Sequence, residues 1–112
     1  MSASGFVAVL VIDLHFPDAG SLKSKRKELS SIKSQLHGRL GAAVSEVDHH
    51  DLWQRSTLTA AVTGRTPSAV TAQADNVERW LESRCPERLR VQRMLVSVEE
   101  LRDVGSSIHA DG

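Results

Sequence analysis

Phe6-Val-Ala-Val-Leu-Val-Ile-Asp-Leu14 is apolar on both of its alternating faces until Asp13 interrupts one of them. That pattern suits a central strand, covered by helices on one side and partly apolar on the other. Pro17, Asp18 and Gly20 follow as a loop, and Ser21 is placed to cap a helix. Leu22, Leu29, Ile32, Leu36 and Leu40 recur at helical spacing and predict one amphipathic helix that ends near Gly38 and Gly41. Ala43, Ser45 and Val47 alternate with Val44, Glu46 and Asp48 in a short second strand, and Ser56 to Thr63, rich in Thr and Val, reads as a third. Thr66 before Pro67 opens a second helix with an N-cap and a proline at its first position. Its buried stripe is Val70, Ala74, Val77 and Leu81, with Trp80 at the rim, and Pro86 stops it after Cys85. Leu89 to Leu101 supplies a fourth strand, whose alternation slips at Met94 and Leu95 and predicts a bulge or bend there.

The order strand, helix, strand, strand, helix, strand predicts an α+β, ferredoxin-like βαββαβ fold. The first and third strands are then central in a four-stranded antiparallel sheet, both helices cover one face, and the other face is open. A single domain over residues 1–102 with a mobile tail over 103–112 is the expected organisation. Val7, Val9 and Val11 fall on one side of the first strand. With no Tyr and two Phe in the chain, an aromatic RNA-stacking sheet is not expected there, and a partner protein or a second copy fits better.

Composition narrows the classes. The 112 residues are 40% hydrophobic and 25% charged with zero formal net charge, the proportions of a globular domain rather than a general polyanion binder. The one cysteine, Cys85, excludes an internal disulfide or a thiolate metal cluster and fits a reducing, cytoplasmic location. The seven-residue apolar run from Phe6 to Ile12, without a basic segment before it, reads as neither a signal peptide nor a membrane span.

Charge is segregated instead. Residues 21–40 hold six cations against the single acid Glu28, whereas residues 99–112 hold four acids against Arg102. Lys23, Lys25, Arg26 and Lys27 crowd the first two turns of the first helix, where exposed N–H groups and the dipole favour anions. Each exposed cation there costs about 0.3 to 1 kcal/mol before mutual repulsion. A phosphate backbone would relieve the conflict.

Three stretches carry a resemblance to a family. Val9-Leu10-Val-Ile-Asp-Leu-His15, Ser21-Leu22-Lys23-Ser-Lys25-Arg26, and above all Val44-Ser-Glu46-Val47-Asp48-His49-His-Asp51-Leu52-Trp53-Gln54-Arg55 resemble the YlxP-like family of small bacterial proteins, over about Phe6 to Leu101. The resemblance implies a ferredoxin-like fold and a bacterial cytoplasmic setting, often beside genes for translation initiation and ribosome maturation. It implies no particular activity. His50 departs from the glutamine that other members often carry at that place.

The Asp48 to Arg55 run has the richest chemistry in the chain. Asp48, His49, His50 and Asp51 have metal-ligand side chains, with Asp13 and His15 as further donors, but adjacent ligands in a loop seldom converge on one ion. Alternatively, Asp48 and Asp51 cap turns and Trp53 plugs the core, or Trp53, Gln54 and Arg55 face a partner. His49 with an aspartate, and Ser21 or Ser56, are the components of acid–base or nucleophilic chemistry, but no nucleophile elbow or glycine-rich phosphate loop completes them.

The sequence therefore reads as a binding protein rather than an enzyme, acting on RNA or ribonucleoprotein, with no cofactor or metal expected. Ser21, Lys23, Lys25, Arg26, Lys27, His49, Trp53 and Arg55 are its expected nucleic-acid-binding residues. The alternative is a protein-interaction or homodimerisation module working through the open sheet face.

Overall fold

The structure, a computed structural model, describes residues 5–100. The chain runs β1 (Phe6–His15), α1 (Leu22–Gly38), β2 (Ala43–Asp48), β3 (Arg55–Gly64), α2 (Pro67–Arg84) and β4 (Leu89–Ser97). The strands form one antiparallel sheet in the order β2-β3-β1-β4, so β3 and β1 are central. This is the ferredoxin-like arrangement expected from the pattern.

Alternation in β1 determines which face the helices cover. Ala8, Leu10, Ile12 and Leu14 are buried, together with Leu58, Ala60 and Val62 of β3. Against them α1 packs Leu29, Ile32 and Leu36, and α2 packs Val70, Ala74, Val77 and Leu81. Both helices are capped by the residues that the sequence offers. Ser21 Oγ accepts from Ser24 N at 3.1 Å, and Thr66 Oγ1 from Ala69 N at 3.1 Å, each satisfying one of the free donors of a first turn. The turn from α1 to β2 needs a left-handed residue, which Gly41 supplies at φ 69°. Cys85 closes α2 and is buried, and that burial pushes its thiol pKa up, against a smaller lowering by Arg88.

Two expectations for the last strand change. The register of β4 on β1 runs without a shift from Phe6 opposite Ser97 to Leu14 opposite Leu89, so there is no bulge at Met94 and Leu95. The alternation slips because β4 is an edge strand and leaves apolar side chains exposed on both faces, Met94 on one and Leu95 on the other. The strand also ends at Ser97, and Leu101 lies outside the described residues, as does the tail over 103–112. The irregularity in the sheet is instead in β2, between Glu46 and Asp48.

Gly64, at the end of β3, lies against the start of α2. A Cβ there would stand 2.7 Å from Val70 Cγ2, a stiff β-branched side chain that is itself buried. Gly64→Ala is expected to lower stability by about 1 to 3 kcal/mol through overpacking, measured as a lower urea midpoint at unchanged slope.

Candidate nucleic-acid interface

Four residues of α1 make its buried stripe: Lys25, Leu29, Ile32 and Leu36. The first is a lysine with no exposed surface. A buried ammonium is tolerable only if its three N–H donors are met, and here acceptors outnumber donors. Nζ donates to the carbonyls of His49 (2.8 Å), Leu52 (2.6 Å), Arg55 (3.0 Å) and His50 (3.3 Å), and Glu46 Oε2 lies at 3.4 Å. Glu46 is held in turn by Ser56 Oγ, which donates to the same oxygen at 2.5 Å. One side chain from the start of α1 thus gathers the carbonyls of the loop that links β2 to β3. Lys25 is buried inside the cradle with no surface to offer a phosphate, which corrects the expectation that it lies on the binding surface.

The other predicted residues divide among three places. Lys23, Arg26 and Lys27 are exposed on α1, and no carboxylate of the described residues lies within 4.0 Å of any of them. Glu28, the only acid in that segment, is drawn away to Arg88, with an Oε1 to Nη1 distance of 3.3 Å. Ser21 is engaged in capping. Trp53 is 49% exposed and so is Leu52, so this loop presents its apolar side chains to solvent instead of plugging the core. Arg55 is exposed and, lying opposite His15, falls on the open side of the sheet.

His49 has its own anchoring. Its backbone sits at φ 61°, its N–H donates to Asp48 Oδ1 at 2.8 Å, and its carbonyl is held by Lys25. Thr57 Oγ1 donates to Asp13 Oδ1 at 2.8 Å, so toward His49 Nδ1, 3.0 Å away, it offers only a lone pair. That network places a ring proton on Nδ1, and Nε2 lies 3.9 Å from Asp48 Oδ2. The ring therefore lies with Thr57 and Asp13 on the open side of the sheet, away from the face covered by α1.

The rest of the loop's chemistry does not converge. His50 and Asp51 point to solvent with 3.9 Å between them, and among the described residues no three His, Cys, Asp or Glu side chains come together to hold a metal. Ser56 is buried and committed to Glu46. Beyond the loop, the open face is lined by Val7, Val9 and Val11 of β1 with Ala61 and Met94 beside Val9. None of the described helices is long and apolar enough to cross a membrane.

The burial of Lys25 has a signal in the sequence, since 25, 29, 32 and 36 share the spacing of the apolar stripe. Its charge hides that signal, because lysine at a stripe position normally reads as an exposed flank.

Comparison with known proteins agrees with the fold and with the family resemblance. Residues 7–94 match the model of a family described as "Protein of unknown function (DUF503)". The uncharacterized protein YlxP of Bacillus subtilis is 29% identical over 66 residues, 59% of this chain and 72% of that protein. Among solved structures, the designed protein Foldit4 superposes with a TM-score of 0.55 at 8% identity over 82% of this chain and 96% of its own. A VAO-type flavoprotein from Myceliophthora thermophila gives 0.51 at 16% identity, over 83% of this chain but 16% of that one. At such identities the structural likeness concerns the fold alone.

Lys25→Met is expected to remove about 3 to 5 kcal/mol of stability, because it takes the counter-charge from Glu46 and a donor from each of four converging carbonyls. Chemical denaturation reads the loss. Lys25→Arg is expected not to restore it, since a planar guanidinium cannot aim its donors as a compact ammonium does.

Proposed function

The chain belongs to the DUF503 family, and from the geometry of its loop end we propose that it is a non-enzymatic binding protein for RNA or ribonucleoprotein. Its binding surface runs from the start of α1 onto residues 49–55. Lys23, Arg26 and Lys27 supply charge to phosphates, Arg55 extends that charge to the far side of the loop, and Trp53 offers a face for an unpaired base.

One observation carries this reading. The Lys25 cradle fixes the loop directly against the basic turn of α1, so that two segments far apart in sequence make one surface. Because Lys25 and Glu28 are both satisfied internally, by the cradle and by Arg88, the three cations left outside retain their conflict with the helix dipole. A protein that used this surface only for solubility would gain by placing acids there.

The test is fluorescence anisotropy with a labelled RNA hairpin across a salt series. The triple variant Lys23→Glu, Arg26→Glu, Lys27→Glu is expected to flatten the log–log salt dependence by about 2 units, at roughly 0.7 to 0.9 for each phosphate that is no longer neutralised. Its thermal stability is expected to hold or rise, since acids suit a helix start. Trp53→Ala is expected to weaken binding by about 1 to 3 kcal/mol if a base stacks there. Unchanged affinity of the triple variant would contradict the reading.

A further inference from the structure

The two edges of the sheet are built differently. β2 is six residues long, is broken between Glu46 and Asp48, and carries acids at both of those positions. These are the devices that keep one edge strand from pairing with another. β4 is nine residues long, regular throughout, and free of proline and of bulges.

The phase of its hydrogen bonding follows from the two bonds that flank its ladder. Val98 N donates to the Gly5 carbonyl at 2.9 Å, and His15 N to the Arg88 carbonyl at 3.0 Å. In an antiparallel ladder such bonded pairs alternate, so Arg90, Gln92, Met94 and Val96 turn their main chain toward β1. Leu89, Val91, Arg93, Leu95 and Ser97 turn theirs outward. Among the described residues no strand pairs with that outer edge.

The side chains do not guard it either. Met94 is 64% exposed on the open face and Leu95 45% exposed on the helix face. Of the two charges in the strand, Arg90 lies exposed near one end, and Arg93, at the middle, is neutralised from α2 by Asp75 at 2.6 Å and Glu78 at 3.3 Å.

We propose that the outer edge of β4 pairs with the same edge of a second copy of this chain, antiparallel and centred on Arg93, to make one continuous eight-stranded sheet. A second copy fits because this register is self-complementary. Leu89 falls across from Ser97, Val91 from Leu95, and Gln92 from Met94, so the whole strand is used and its outward groups make roughly ten hydrogen bonds. Each exposed apolar side chain gains a neighbour, Leu95 against Val91 and Met94 against the stem of Gln92. The pairing differs from association through the open face, which leaves the outward amides bonded to water.

The experiment is sedimentation equilibrium of the full chain, with amide hydrogen exchange measured at low and high protein concentration. A dimer is expected, in which the amides of Val91, Arg93 and Leu95 gain protection as concentration rises. Leu95→Pro removes an outward N–H without touching a bond to β1, and is expected to weaken the dimer roughly tenfold or more. Met94→Pro would instead break the ladder to β1 and lower stability, which serves as the phase control. A monomer at all concentrations overturns the proposal. So does a dimer whose Val91, Arg93 and Leu95 amides exchange freely, which would place the interface on the open face. Protection that is independent of concentration overturns it as well, because the chain would then cover its own edge.

Discussion

The ammonium of Lys25 holds the loop end of this domain together. It arrives on the buried stripe of α1, and the groups it meets are main-chain carbonyls of residues 49, 50, 52 and 55 with the carboxylate of Glu46. Carbonyls that converge without a donor repel one another, and a loop that turns through His49 at positive φ has few internal bonds to hold it. A single cation resolves both problems. The break in β2 after Glu46 and the exposure of Leu52 and Trp53 are parts of the same arrangement, since a loop whose carbonyls point inward presents its side chains to solvent.

The cradle also changes how charge is distributed at the start of α1. The sequence places four cations there, one of which leaves the surface to become structural, while the nearest acid turns to Arg88. What remains outside is a smaller and better defined set, Lys23, Arg26 and Lys27, on the helix whose Lys25 holds the loop that exposes Trp53. His49 belongs elsewhere. Thr57 and Asp13 hold its ring at the end of the open face, where Arg55 also lies, so polar chemistry is present on both sides of the loop rather than concentrated in one pocket.

The fold is legible in the sequence because its signals are local. Alternation in Phe6 to Leu14, stripes at helical spacing, Ser21 and Thr66 as caps, and Pro67 at a helix start each depend on residues within a few positions of one another. The site is legible only in its members. Nothing in residues 48–55 announces that their carbonyls turn to a lysine some 25 positions earlier, because backbone acceptors are the same for every residue type. The charge of Lys25 suggests a surface position, whereas its spacing to Leu29 and Ile32 is the better guide. The bulge expected at Met94 has a related cause: an edge strand with apolar residues on both faces imitates a break in alternation.

The protonated side chain of Lys25 can be observed directly. In a sample labelled with nitrogen-15 and carbon-13 at neutral pH, its ammonium is expected to give a resolved, slowly exchanging proton–nitrogen signal, with scalar couplings across the hydrogen bonds to the carbonyl carbons of His49, Leu52 and Arg55. An ammonium that exchanges with water as fast as that of Lys23, with no such couplings, would contradict the cradle and the surface built on it.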